Sequence, residues 1–249
     1  MVKKIDTFIF VPAFHVGQEL FDTLSRVPEA IWDRASVVII DDGSKDDTSK
    51  EAHRFKETLP PEWRAQYCIL SFSKNRGYGA VIKEGFSLAL KSEALFICCL
   101  HGDGQYPPEK LPYFLQTMET EGLDVLQGSR HLEKGEAKRG GMPFYKRVGG
   151  GVLTFIENRV FHTSLTDRHS GFLCFSRRFI STVPMSRLSG SFDIDLELLA
   201  VADANNFKVA ERPIKTRYAG ERSNLNVCTY GLRVLRIVFR KARGFYTSF

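Results

Sequence analysis

The chain has 249 residues, of which 43% are hydrophobic and 26% charged, long enough to bury a sizeable core and consistent with one large globular domain. Thirty-five Lys and Arg against 29 Asp and Glu give a formal charge of +6 and a pI near 9.1. That balance suits phosphate-bearing ligands, a membrane surface or nucleic acid, and does not choose among them. The five cysteines, Cys68, Cys98, Cys99, Cys174 and Cys228, have no CxxC spacing, which argues against a disulfide framework and a zinc site. They are expected as small buried core residues in a reducing compartment. No window of about 18 apolar residues occurs, and the start MVKKIDTFIFVPAF has too short an apolar stretch for a signal peptide. The expected location is cytoplasmic, with peripheral contact at the cytoplasmic face of a membrane left open.

Phe8 to Val11 is a short β-rich apolar run that Pro12 is expected to end, and Val37 to Ile40 is a second, ended by Asp41-Asp42-Gly43-Ser44. Between them Glu19, Leu20, Leu24, Val27 and Ile31 are spaced like a helix face, completing a β-α-β unit. The alternation repeats: a helix over Lys45 to Phe55, a strand over Tyr67 to Phe72, a helix over Tyr78 to Leu90 and a strand over Leu95 to Leu100. Continuous apolar strands alternating with helices imply an α/β fold with a parallel sheet covered on both faces. Ligands of such sheets bind beyond the carboxyl ends of the strands. Three polar segments, Asp41 to Ser44, Ser73 to Gly79 and His101 to Gln105, fall at those ends.

After Pro107-Pro108 the pattern predicts a helix to about Thr120 and a strand over Asp124 to Gln127. Residues 130 to 147, basic and rich in Gly without apolar periodicity, predict a mobile loop. A helix over Gly151 to Phe161, a strand over Phe172 to Phe175, a helix over Asp193 to Ala202 and an extended segment over Lys208 to Thr216 complete the series. In the last stretch Leu232, Val234, Leu235, Val238 and Phe239 form an apolar face set against Arg233, Arg236, Arg240, Lys241 and Arg243. That helix suits a membrane interface or the last packed helix of the core.

Asp41 and Asp42 leave a buried strand where a nucleotide would need acceptors for its ribose hydroxyls and base N–H groups, although Asp-Asp-Gly-Ser is also good turn chemistry with Ser44 as a cap. In His101-Gly102-Asp103-Gly104-Gln105, alternate residues present an imidazole, a carboxylate and an amide on one side of an extended strand end. Such a set can grip a divalent cation that leaves open positions for substrate phosphates. The segment Leu165 to Phe172 packs Asp167, Arg168 and His169 before an apolar strand, as a catalytic turn or an ion-paired loop. Asp193, Asp195 and Glu197 lie near a helix start, where acidic groups also favour the macrodipole. Arg130, Lys138, Arg139, Lys146 and Arg147 form one basic group, and Arg217, Arg222 and Ser223 a second, suited to clamping phosphate or to a solvated face.

In this order the segments VPAFHVGQEL, VVIIDDGSKDDT, SKNRGYGAVIKEGF, HGDGQYPPEKL, GSR with the later KR, TDRHSGF and RYAGERS resemble the family 2 glycosyltransferases, in particular the dolichol-phosphate mannosyltransferase and polyprenyl-phosphate glycosyltransferase branch. The resemblance runs from about Phe8 to Ser223. It implies the GT-A fold, a Rossmann-like mostly parallel sheet with helices on both faces, over residues 1–225, followed by a basic amphipathic helix over 226–249 that is a candidate for membrane association. It further implies that Pro12, Ala13 and Asp42 contact the nucleoside, with Asp41, Lys74 and Gly77 on the same donor side. Asp103 and Gln105, with His101, would ligate Mg²⁺ or Mn²⁺ bridging the donor phosphates. Arg130 and Arg147 would hold an acceptor phosphate, Asp167 would lie near the reacting centre, and Arg217 and Ser223 would close over the diphosphate. Members of the family usually carry Asp where this chain has His101, so one negative charge is lost from the metal motif.

The implied reaction is inverting displacement at the anomeric carbon of a UDP- or GDP-linked sugar, with polyprenyl phosphate as the expected acceptor. Charge grows on the leaving diphosphate, where Asp103 with its metal, and Arg217, would act. A saccharide or other hydroxyl acceptor is the nearest rival, and it would need a base, for which Asp167 and Asp195 are the candidates. A non-catalytic nucleotide-sugar-binding protein is a second class, suggested by the carboxylate lost at position 101. A nucleotidyltransferase would need a glycine-rich triphosphate loop after the first strand, which VPAFHVGQEL does not supply. Nucleic-acid binding would explain the charge but not the carboxylates spaced at strand ends.

Overall fold

Seven strands form one sheet: β1 (Thr7–Ala13), β2 (Ala35–Asp41), β3 (Tyr67–Ser71), β4 (Phe96–Cys99), β5 (Val125–Ser129), β6 (Leu173–Ser176) and β7 (Val209–Pro213), in the spatial order β3-β2-β1-β4-β6-β5-β7. The structure is a computed structural model and describes residues 5–217 and 227–247, without the side chains of residues 227 and 228. β1 to β4 are mutually parallel, and β5 is parallel to β7. β6 alone runs against both of its neighbours.

Side chains alternate across a strand, and both sets are apolar here. Phe8 and Phe10 of β1, with Val38 and Ile40 of β2, face a core completed by the Tyr78–Lys91, Ile194–Ala204 and Val227–Ala242 helices. Ile9 and Val11, with Val37 and Ile39, face a second core closed by the Gly17–Ser25, Thr48–Thr58 and Leu111–Glu121 helices. Burial on both faces accounts for the unbroken apolar runs.

The structure departs from the sequence-based expectation at particular points. β1 does not stop at Pro12 but continues to Ala13. The Pro12 carbonyl accepts from Gly102 N–H (3.1 Å), so its nitrogen faces the side where β4 has already ended, and the missing donor breaks no ladder. The second long helix begins at Thr48 rather than Lys45, because Asp46 Oδ1 accepts from the Thr48 N–H (3.1 Å) and hydroxyl (2.6 Å). The stretch expected as a loop over 130–147 holds a short helix, Glu136–Arg139, and the start of a longer one, Phe144–Glu157. That helix runs straight through Gly149, Gly150 and Gly151, although each costs about 1 kcal/mol of helix propensity. Cys68 is exposed, while Cys98, Cys99 and Cys174 are buried and free.

The carboxyl-terminal helix takes the core option on one face. Val234 and Ile237 are buried, Lys241 Nζ meets Asp203 Oδ2 at 2.9 Å, and the Tyr246 hydroxyl donates to Glu197 Oε1 (2.8 Å).

Gly85 marks a tight point of this packing: a Cβ there would lie 2.5 Å from the Phe10 ring, which is pinned edge-to-face against Phe86. Gly85→Ala is therefore expected to destabilise by about 1–3 kcal/mol despite the better helix propensity of alanine, read by urea denaturation.

Candidate active site

The carboxyl ends of β1, β2 and β4 lie at one edge, where Ala13 pairs in register with Asp41 and Phe10 with Cys99. Asp42 N–H donates to the Ala13 carbonyl (2.9 Å), and Gly102 N–H to that of Pro12, so the polar segments that follow the three strands are knitted together. β5 ends at the same edge. Because β6 is reversed, the turn that precedes it, 166–171, arrives there too. These segments surround a cavity of ≈1100 Å³.

Of the predicted donor-side residues, Pro12, Ala13, Asp42 and Gly77 line the cavity. The buried Asp42 carboxylate accepts from the N–H groups of Arg76 (2.6 Å) and Gly77 (2.9 Å) at the start of the 78–91 helix. Asp41 turns away, its Oδ1 accepting from Ser44 N–H (2.9 Å), so the turn chemistry and the site chemistry are divided between the two neighbours. Lys74 is exposed and lies outside the cavity wall, to which Asn75 contributes instead.

His101, Asp103 and Gln105 all line the cavity. The Tyr78 hydroxyl lies 3.0 Å from His101 Nε2 and donates to Asp195 Oδ2 at 2.9 Å. With its proton directed at Asp195, that hydroxyl accepts from His101 Nε2–H, which leaves the lone pair on Nδ1. Burial lowers the His101 pKa, against the opposing charge of Asp103. Burial likewise pushes the Asp195 carboxyl up to about 7, the Tyr78 hydrogen bond opposing and Asp193 adding to the rise. A Cβ on Gly171 would come within 2.8 Å of the His101 ring, which accounts for the glycine in the turn before β6.

Among the described residues no group of three or more His, Cys, Asp or Glu forms a metal cluster. The set at this strand end is one carboxylate, one imidazole nitrogen and one amide, with Asp103 Oδ1 also accepting from Gln105 N–H (3.1 Å). The chemistry of this donor set fits Mg²⁺ or Mn²⁺, to which it would supply part of a coordination shell.

Past the end of β5, Arg130 and Asp167 form a closed pair. Arg130 donates from Nε to Oδ2 (2.6 Å), from Nη2 to Oδ1 (2.8 Å) and from its backbone N–H to Oδ2 (3.1 Å), and His169 N–H adds a bond to Oδ1 (3.1 Å). Burial by itself would raise the Asp167 carboxyl, but the charge and hydrogen bonds of Arg130 override it and hold it well below the ordinary carboxylate range. Lys146 lines the cavity, whereas Arg147 does not and has its guanidinium over the Phe144 ring at 5.6 Å. Arg217 lines a smaller cavity of ≈310 Å³ behind the 101–105 segment, with Arg26 and Lys215, and its N–H donates to the Gln105 carbonyl (3.2 Å). Ser223 and Arg222 lie outside the described residues.

The sequence profile described as "Glycosyl transferase family 2" matches residues 8–183. The chain belongs to glycosyltransferase family 2. A UDP-N-acetylglucosamine–dolichyl-phosphate N-acetylglucosaminyltransferase of Methanococcus voltae is 24% identical over 218 residues, covering 85% of each chain. A dolichyl-phosphate β-glucosyltransferase of Saccharomyces cerevisiae is 29% identical over 228 residues, covering 85% of this chain and 67% of its own. Among solved structures, glucosyl-3-phosphoglycerate synthase of Mycobacterium tuberculosis, in complex with Mn²⁺, UDP and glucosyl-3-phosphoglycerate, superposes with a TM-score of 0.67 at 12% identity, over 95% of this chain and 80% of that one. The architecture is the GT-A fold.

This glycosyltransferase has further cavity residues that the strand-end reading did not reach. Phe14 and His15 stack at 4.1 Å, with His15 at a positive φ of 53° and its N–H on Ser44 Oγ (3.0 Å). Tyr78, Tyr145, His169 and Tyr230 also line the cavity. The Gly77-Tyr78 step into a helix at a strand end was the available signal for Tyr78. His169 belongs to the 165–172 cluster already singled out in the sequence, whereas Tyr145 and Tyr230 had no signal, because they reach the cavity from helices distant in sequence.

Behind His169 sits Glu157, fully buried, with neither carboxyl oxygen hydrogen-bonded among the described residues and Oε2 3.5 Å from His169 Nε2. Burial raises the Glu157 carboxyl to about 8 against the charge of Arg168, and lowers His169 to about 4. Folded Glu157 keeps its proton up to about pH 8, whereas in the unfolded chain it ionises above its ordinary value of 4.5. Folding thus binds a proton between those values, and this group's contribution to stability is lost as pH rises through that window. Glu157→Gln is expected to raise the Tm at pH 8 by at least about 3 °C and to change it little at pH 5, measured by thermal melts across pH.

Proposed function

We propose that this enzyme moves a sugar from a UDP- or GDP-linked donor to a polyprenyl phosphate with inversion at the anomeric carbon. The observation that carries the reading is that one cavity is lined both by Asp42 and Asp103, which follow β2 and β4, and by the cations Arg130 and Lys146, with Asp167 paired to Arg130. The relatives that act on dolichyl phosphate support the acceptor, and the UDP and Mn²⁺ of the structural neighbour support the donor and the metal.

In this reading Pro12, Ala13 and Asp42 face the nucleoside, and Asp103, Gln105 and His101 would hold Mg²⁺ or Mn²⁺. A bound divalent cation supplies charge to the leaving diphosphate. Arg130, aimed by its two bonds to Asp167, presents its charge to the acceptor phosphate, and Lys146 adds a second cation. Asp167 is saturated by donors and firmly ionised, so its role is to position Arg130 rather than to take a proton. An acceptor phosphate is already an anion and needs no base.

A hydroxyl acceptor is the second reading, and Asp195 favours it: a carboxyl raised to about 7 beside the Tyr78 hydroxyl is poised as a general base. The two readings separate in one assay. Release of UDP or GDP from labelled donors, stimulated by polyprenyl phosphate and flat in kcat/KM through pH 7, supports the first. No response to lipid, stimulation by a sugar, and a rate that falls as pH drops through about 7 support the second.

For the donor side, UDP or GDP with Mn²⁺ is expected to raise the Tm by mass action, by about 2.7 kcal/mol of stability at a hundredfold excess over Kd. Asp103→Asn is expected to abolish the metal-dependent part of that shift. Retention of the full shift in the variant would place the metal elsewhere.

A further inference from the structure

Two adjacent helices expose apolar residues to solvent. Along the Phe144–Glu157 helix, Phe144 (71% exposed), Val148, Val152 and Phe155 (59% exposed) follow at steps of four, four and three and so form one continuous stripe. The Val227–Ala242 helix packs against it and exposes Leu232 (70%), Leu235 and Phe239 (57%) on the side away from its buried Val234 and Ile237. Contiguous uncovered apolar surface of this kind marks an interaction site.

The charges around it define the partner. Arg147 lies over Phe144 at 5.6 Å, Arg159 over Phe155 at 4.3 Å and Arg243 over Phe239 at 4.5 Å. Each phenylalanine of the two stripes thus has a guanidinium beside it. Neither helix adds an exposed acidic side chain: Glu157, the sole carboxylate of the first helix, is buried, and the second helix has none. A second copy docked on this surface would oppose arginine to arginine, whereas an anionic headgroup layer over acyl chains matches both the rings and the charges. No helix among the described residues is long and apolar enough to cross a membrane, so the contact is made in the plane of the interface.

We propose that the two stripes form a docking face for an anionic lipid bilayer. The first helix is also a wall of the cavity, to which it gives Lys146, Gly149, Gly150 and Leu153, and the second gives Tyr230. The glycines that weaken the helix thereby keep its inner side open. On the polyprenyl-phosphate reading, this arrangement lets the acceptor phosphate enter the cavity while its chain stays in the bilayer. The docking itself does not rest on that reading.

The test uses the full chain and vesicles free of donor and acceptor. Wild type is expected to co-sediment with vesicles containing phosphatidylglycerol, more weakly as salt rises, and poorly with pure phosphatidylcholine. Phe144→Ser with Phe155→Ser on one helix, and Phe239→Ser on the other, are each expected to weaken that binding about tenfold or more, with an unchanged Tm and an unchanged nucleotide-induced thermal shift as the folding control. Binding that neither set of substitutions reduces would overturn the proposal. So would a wild-type dimer in light scattering that the substitutions dissociate, because the stripes would then belong to a second copy. If polyprenyl phosphate proves to be no substrate in vesicles or as a short water-soluble analogue, the acceptor reading fails while the vesicle binding still decides the docking face.

Discussion

Between β4 and β5 the chain inserts β6 in the reverse direction, so the residues that precede this strand, rather than those that follow it, arrive at the edge where the parallel strands end. That places the 166–171 turn beside the segment following β4, and lays Asp167 against Arg130 at the end of β5. An all-parallel sheet would carry the same turn to the far edge and leave the cavity without Asp167, His169 and Gly171. Gly128, packed against Ile214 and Phe172, and Gly171, packed against the His101 ring, are where this close fit excludes a side chain.

Burial then sorts the carboxyl groups of the site into different states. Removing a carboxylate from water costs several kcal/mol unless donors replace the solvent. Asp42 is supplied by two backbone N–H groups and Asp167 by a guanidinium and two more N–H groups. Asp195 has one phenol, and Glu157 has no hydrogen-bond donor among the described residues. Asp167 is held well below the ordinary carboxylate range and orients Arg130, while burial pushes Asp195 up to about 7 and Glu157 up to about 8. Carboxyl groups with opposite shifts thus lie in and just behind one cavity.

Much of this was legible in the chain itself. Unbroken apolar runs predicted strands buried on both faces, and the carboxylates Asp42 and Asp103 were recognisable from their position just past two of those runs. The misreadings have local causes. Pro12 looked like a strand end because its missing N–H normally breaks a ladder, but its nitrogen faces the space past the end of β4. The helix expected from Gly151 begins at Phe144, its start concealed by Gly149 and Gly150, whose propensity cost is offset by packing against the 227–242 helix. Arg147 was expected on the acceptor side, but its neighbour Lys146 lines the cavity instead, and of the adjacent Asp41 and Asp42 only Asp42 does.

The sequence by itself determined most of the strands and helices and which strand ends carry carboxylate and amide side chains, because periodicity and turn chemistry act over a few residues. The tertiary structure decided which of those groups meet. Tyr78 joins His101 to Asp195 across separations of 23 and 117 residues, and Arg130 meets Asp167 across 37. Those contacts depend on strand order and on the direction of β6, and these follow from packing the whole sheet at once rather than from any local pattern.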